Sequence, residues 1–189
     1  RIAKENELAT AEKKDSTGIC FIGERHFNQF LDNYLPASPG NMVTEGGDVV
    51  GKHGGLMYYT IGQRKGLGIG GSKEYGNEAW FVIGKDLQTN TLFVGQGFHH
   101  ETLYSDECTV DEVNWLSDKI NRKCTAKFRY RQPDQDVEIT WSGDDLIVKY
   151  PQGVRAVTPG QAAVFYDGEV CLGGGFIKEV FRDNKKRQY

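Results

Sequence analysis

No cysteine in this chain has a partner at the spacing that metal sites or redox pairs use. The four stand at positions 20, 108, 124 and 171 without a Cys-x-x-Cys, which excludes a local zinc motif or a thioredoxin-like dithiol. The four histidines, at 26, 53, 99 and 100, are equally dispersed, and His99-His100 reads as a loop pair rather than a metal site. No apolar run is long enough to cross a membrane and no segment reads as a signal peptide. Reduced thiols in the cytoplasm, with no membrane partner, are the simplest account. An excess of positive charge is missing as well. A net charge of −3 argues against a generally basic nucleic-acid binder, though affinity for phosphate follows the distribution of charge rather than its sum. There is no internal repeat and no low-complexity tract.

What is present points to a β protein. Proline is sparse at 5 residues while glycine reaches 24 and aromatics 12%, a mix that suits short strands and turns. A length of 189 residues fits one ordinary domain or two small ones. Residues 1–35 hold a Cys20 segment and a patterned helix, and Pro36-Ala-Ser-Pro-Gly40 ends that pattern. From 36 to 97 the chain reads as a small β domain. It has one hairpin of Met42–Glu45 and Asp48–Gly51 across Gly46-Gly47, and another of Trp80–Ile83 and Thr91–Val94 across Asp86 to Asn90. From 98 to 183, Thr109–Val113, Cys124–Tyr130, Val137–Trp141, Leu146–Tyr150, Ala162–Tyr166 and Glu169–Leu172 are strand-like. Six short strands without a long helix predict a closed or nearly closed antiparallel barrel, which also removes exposed edges. The tail from 184 to 189 is polar and is expected to fray.

Cys20 is the candidate nucleophile. It follows a Ser16-Thr17-Gly18 turn and precedes Phe27, Phe30, Leu31 and Tyr34, whose spacing predicts an amphipathic helix over Glu24 to Tyr34. A nearby helix N-terminus and the cations Lys13, Lys14 and Arg25 both favour a thiolate. A small buried hydrophobe between Ile19 and Phe21 is the other reading, and the local sequence leaves both open. Asp15, Ser16, Thr17 and Gly18 read as a turn that supports the Cys20 loop. The remaining cysteines read as inert.

A second candidate lies in Cys124-Thr-Ala-Lys-Phe-Arg-Tyr-Arg131. Strand alternation sends Cys124, Ala126, Phe128 and Tyr130 to one face and Thr125, Lys127, Arg129 and Arg131 to the other. The three cations then stand about 7 Å apart, close to the phosphate spacing of a nucleic-acid strand. A solvated outer barrel face is the plainer alternative. Gly66-Leu-Gly-Ile-Gly-Gly71 formally fits Gly-x-Gly-x-x-Gly, yet no βαβ unit surrounds it, so a dinucleotide site is not expected. With Gln63, Arg64 and Lys65 those glycines form either a basic loop for an RNA backbone or a tight turn.

Two runs narrow these alternatives. Asp15-Ser-Thr-Gly-Ile-Cys20-Phe-Ile-Gly-Glu-Arg25 and Gly55-Leu-Met-Tyr-Tyr-Thr-Ile-Gly-Gln-Arg-Lys-Gly-Leu-Gly-Ile-Gly70 resemble the tRNA 2-thiouridylase family. So do Phe128-Arg-Tyr-Arg-Gln132, Thr158-Pro-Gly-Gln-Ala-Ala-Val-Phe-Tyr166 and Gly168-Glu-Val-Cys-Leu-Gly-Gly-Gly175. The resemblance implies a small central β domain followed by a barrel like those of translation factors. It also implies that Cys20 carries a persulfide and delivers sulfur to C2 of the wobble uridine, after ATP has activated the C2 oxygen, with a disulfide closing between Cys20 and a second cysteine. Arg129 and Tyr130 match an Arg-Tyr pair that contacts tRNA, and Gln161, in the matching Pro-Gly-Gln turn, is a weaker candidate for a tRNA contact. The implied partners are tRNAs of the Lys, Glu and Gln type and a sulfur donor, either a cysteine desulfurase or a relay protein.

Family members begin with an ATP-pyrophosphatase domain whose Ser-Gly-Gly-x-Asp-Ser loop holds phosphate. That loop does not occur here and the chain opens on Arg1 without a Met. The expectation is a C-terminal portion that binds no cofactor or metal of its own and does not turn over alone. A noncatalytic RNA-binding barrel, in which Cys20 only packs, is the competing reading. A thiol redox protein is a weaker third, because the nearest potential resolving cysteine in sequence is Cys108.

Overall fold

The computed structural model describes residues 5–6, 34–70, 75–130 and 132–187. The chain divides into two compact units, Arg1–Ala37 and Ser38–Tyr189. Cys20, its Asp15–Gly18 turn and the expected helix lie outside the described residues, apart from Tyr34, which stands in a turn.

The second unit begins with a four-stranded sheet. Its strands are β1 (Gly40–Val43), β2 (Val49–His53), β3 (Trp80–Asp86) and β4 (Thr91–Gln96), in the order β2-β1-β4-β3. Turn chemistry builds both hairpins. Between β1 and β2 the Thr44 hydroxyl accepts the Asp48 N–H at 3.1 Å. Between β3 and β4 the Asp86 carboxylate accepts the Gln88 and Thr89 N–H groups at 2.8 and 3.2 Å. Side-chain and backbone hydrogen bonds from Thr89, with a backbone one from Gln88, hold the Asp86 carboxyl below the usual carboxylate range. β1 runs parallel to β4, so the two hairpins join side by side. The outer edge of β3 is covered by the 60–63 segment, through Gly62 N–H to Val82 O at 2.8 Å and Val82 N–H to Gln63 O at 2.9 Å.

The larger sheet closes on itself. Its strands are β5 (Tyr104–Trp115), β6 (Arg122–Lys127), β7 (Gln135–Ser142), β8 (Asp145–Arg155), β9 (Ala162–Asp167) and β10 (Val170–Arg182). They run in the order β10-β5-β8-β7-β6-β9, and β9 pairs back onto β10 to complete a six-stranded antiparallel barrel. Alternation fills it: Val137 and Ile139 from β7 and Leu146, Val148 and Tyr150 from β8 point inward beside Phe128, Phe165, Ile177 and Val180. Each large apolar side chain buried in this way contributes on the order of 1.5–3 kcal/mol.

Two expectations about the C-terminal part change. The last barrel strand does not stop at Leu172; β10 continues through Gly173-Gly-Gly175 to Arg182. Glycine acts there as a close-approach residue rather than a breaker. A Cβ on Gly174 would lie 2.6 Å from Ala163 O, and one on Gly175 would lie 2.4 Å from Asp111 O, where β10 is pressed between β9 and β5. The tail is not frayed as far as Arg187. A two-residue strand, β11 (Lys185–Lys186), folds back on Phe181–Arg182, and the Arg187 guanidinium donates to Tyr104 O at 3.2 Å and to Thr102 O.

The sheet and the barrel share packing. Leu103 and Ala156, joined by an Ala156 N–H to Leu103 O bond of 2.6 Å, belong to the same apolar cluster as Met42, Ile61, Phe81 and Leu92.

Candidate nucleic-acid interface

The segment after β6 departs from simple alternation. β6 ends at Lys127; Phe128 still fills the barrel, and a turn closed by Gln132 N–H to Arg129 O at 3.0 Å follows. Tyr130 does not share the face of Phe128. It is 92% exposed, because the strand has ended and no neighbouring strand holds it in register. The row of cations expected from Lys127 and Arg129 is likewise not formed. Lys127 pairs with Asp134 at 3.2 Å, Arg129 turns inward, and Arg131 lies outside the described residues.

Arg129 joins three pieces of chain. One nitrogen donates to Ile61 O at 2.8 Å and to Ala156 O at 3.0 Å, and its Nε donates to Gln161 Oε1 at 3.3 Å. Burial lowers its pKa from the ordinary value, and the neighbouring Arg155 guanidinium adds to the shift. It stays charged, since arginine is effectively always protonated. Arg155 stacks beside it over Phe81 and Phe98, with its guanidinium carbon 4.9 and 4.3 Å from the ring centres.

Gln161 is placed by a local turn. In Thr158-Pro-Gly-Gln161 the Gln161 N–H meets Thr158 O at 3.3 Å and Gly160 takes a φ of +80°. With proline second and a positive φ third, this is a type II turn. Because its Oε1 accepts from Arg129, Gln161 keeps its amide NH2 as a donor.

Thr60-Ile-Gly-Gln63 repeats the same device, with Gln63 N–H to Thr60 O at 2.9 Å and Gly62 at φ +81°. The Gln63 side chain then accepts from Thr60 N–H at 3.0 Å and donates to Lys65 O at 2.9 Å, which fixes the loop carrying the exposed Arg64 and Lys65. The glycine run beyond it opens no helix within Gly66–Gly70. It lines a cavity of about 300 Å³ together with Arg64 and the carboxylate-bearing Glu78, which is a poor setting for a dinucleotide or triphosphate.

The two turns frame a cleft of about 440 Å³ between sheet and barrel, to which Lys85 and Arg187 also contribute. Sequence reasoning found Gln161 here and missed Lys85. The one available signal was the recurrence of a Thr-x-Gly-Gln turn in both halves.

Elsewhere the cysteines differ more than expected. Burial pushes the Cys108 thiol up to about 12 and the Cys124 thiol up to about 11, which disfavours the reactive thiolate at both. Cys171 is exposed. Among the described residues no group of three or more His, Cys, Asp or Glu could hold a metal ion, and no helix is long and apolar enough to cross a membrane.

Comparison with known proteins agrees with this architecture. A family described as tRNA methyl transferase PRC-barrel domain matches residues 28–96, and one described as Aminomethyltransferase beta-barrel domain matches residues 105–177. Proteins named tRNA-specific 2-thiouridylase MnmA are similar over the whole chain. The one from Acholeplasma laidlawii is 62% identical over 190 residues, covering 100% of this chain and 50% of the relative. Those from Bacillus velezensis and Bacillus subtilis are 61% and 58% identical, with 100% of this chain and 51% of each relative covered. The chain spans about half the length of the curated relatives it matches. With a closed barrel behind a small sheet, the chain is similar along its full length to about half of each of these tRNA-specific 2-thiouridylases.

Proposed function

We propose that this chain is the tRNA-holding and sulfur-carrying portion of a tRNA-uridine 2-sulfurtransferase, acting at C2 of the wobble uridine. The observation that carries the RNA half of this reading is the placement of Tyr130 beside Arg129 at the end of β6. Tyr130 stands in solvent with a whole ring face available for a base to stack on. Arg129 ties the neighbouring turns together and orients Gln161 as an amide donor. Arg64 and Lys65 supply exposed cations on the adjoining loop. Cys20 is the thiol that carries sulfur as a persulfide, supported by the family resemblance of its flanking residues, with Asp15, Ser16, Thr17 and Gly18 shaping its loop.

The glycine-rich loop does not suit ATP. Its described part presents no helix N-terminus and faces Glu78, so no ATP-dependent step is assigned to it, and the 189 residues alone are inactive in this reading. The substrates are tRNAs of the Lys, Glu and Gln type, the sulfur comes from a cysteine desulfurase or a relay protein, and the setting is the cytoplasm.

The test is 2-thiouridine formation in tRNA, with ATP and a sulfur donor, by the protein at the full length of its relatives. Cys20→Ser is expected to abolish thiolation. Tyr130→Ala is expected to raise the tRNA concentration needed about 5- to 100-fold, the range of one lost base stack. Full activity of Cys20→Ser would move the sulfur carrier elsewhere and leave a noncatalytic RNA-binding module.

A further inference from the structure

We infer that the cleft between the small sheet and the barrel holds a phosphodiester of the RNA strand, with Lys85 as its principal cation and the Gln161 amide as a second donor. This rests on the proposed tRNA-binding reading and extends it to a residue that the reading does not contain.

The cleft is unusual in its charge. The chain carries 26 acidic residues against 23 basic ones, yet among the described residues no carboxylate lines this cleft, while Lys85 and Arg187 both do. Lys85 projects from β3, is half-buried, and has no acidic partner among the described residues. Burial without such a partner pulls its pKa below the ordinary value, so its charge is under-compensated. A bound phosphate would supply the missing counter-charge.

The rest of the lining has the chemistry to complete such a site. Gln161 faces the cleft with its NH2 left over, because its Oε1 is already committed to Arg129. Thr60 is exposed at the rim of the opposite turn. The Thr158 hydroxyl donates to Ala156 O at 3.1 Å and so cannot also donate to a ligand, and the Arg187 guanidinium donates to Tyr104 O and Thr102 O, so Lys85, Gln161 and Thr60 supply the donors while Arg187 adds positive charge. An ammonium with neutral donors, beside a guanidinium already held by two carbonyls, suits a singly charged phosphodiester. They give no base-reading pattern, so the site would position an RNA backbone rather than select a sequence.

The experiment is the salt dependence of tRNA binding by the 189-residue chain, followed by fluorescence anisotropy of labelled tRNA. Lys85→Gln is expected to make the slope of log affinity against log salt shallower by about 0.7 to 1, the loss of one phosphate contact, and to weaken different RNA sequences equally. Lys85→Arg should retain most of the slope. Lys123→Gln, which removes a lysine outside the cleft, should keep all of it. An unchanged slope in Lys85→Gln would overturn the inference while leaving the RNA reading in place. Failure of the unaltered chain to bind tRNA at all would overturn that reading and this one with it. A Lys85-dependent affinity for inorganic phosphate, with RNA binding unaffected, would also overturn it and assign the cleft to a free anion.

Discussion

The barrel borders two grooves of about 440 Å³ each, and they handle charge in opposite ways. The groove over β6, β7 and β9 is lined by Lys123, Asp136, Glu138 and Asp167 among others, and its cations are spoken for. Lys123 meets Glu138 at 2.9 Å, and Arg122 meets Asp167 beside it at 3.0 Å. The cleft facing the small sheet is lined, among the described residues, by cations and no carboxylate. A net charge of −3 therefore says little about either. What separates a solvated barrel wall from a candidate phosphate site is whether each cation already has an anion within reach. The same test separates Lys127, which has Asp134, from Lys85, which has none among the described residues.

The largest expected difference between the grooves concerns sulfur. Cys124 lines the paired groove with its thiol pushed up to about 11 by burial, and Cys108 sits in the barrel with its thiol pushed up to about 12. Among the three described cysteines, a thiol-reactive disulfide reagent at pH 8 should modify exposed Cys171 first. Cys124 should react much more slowly, and Cys108 only after unfolding, because burial both shields these thiols and disfavours their thiolates. Selective labelling of Cys20 must therefore be sought in a Cys171→Ser background. Equal rates at Cys124 and Cys171 would refute this account of the paired groove.

The next effect is on the frame of the cleft. Arg129→Met leaves the Ile61 and Ala156 carbonyls without their guanidinium partner. Urea denaturation should register a loss of about 2–4 kcal/mol, with Arg129→Lys restoring part of it because an ammonium cannot span three acceptors as the guanidinium fork does. A change below about 0.5 kcal/mol would mean that Arg129 serves RNA alone.

The smallest effect belongs to the paired groove again. The Lys123 ammonium, first through a side-chain hydrogen bond and then through its charge, holds the Glu138 carboxyl below the ordinary carboxylate range. A depressed carboxyl stabilises the folded state above its unfolded pKa and loses that contribution as pH falls through the folded value. The stability difference between the unaltered chain and Glu138→Gln should thus be small and constant above about pH 5 and vanish on acidification. A difference that grows as pH falls would contradict the pairing.

The parts legible in the sequence were those decided locally. The hairpins around Gly46-Gly47 and Asp86 to Asn90 form where turn chemistry puts them, and the alternation of Val137 to Trp141 and Leu146 to Tyr150 becomes β7 and β8. What escaped was decided by distant chain. The last strand-like segment is legible only to Leu172, because nothing near Gly173 to Gly175 in sequence reveals that β5 and β9 crowd in from either side. Alternation sent Tyr130 to the wrong face because the end of β6 is set by its barrel neighbours. Lys85 drew no notice, since a lysine becomes informative only when the absence of a nearby carboxylate can be seen in three dimensions.

Ile61 ties these observations together. Its side chain is 2% exposed within the small-sheet core, while its carbonyl receives Arg129 from the barrel. The width of the cleft is thereby gauged by a packed apolar core on one side and a guanidinium tether on the other. An incoming strand meets a slot whose jaws are already set, so little ordering entropy is left to be lost on docking. Capture should then be limited by electrostatic approach rather than by any closing movement of the two layers.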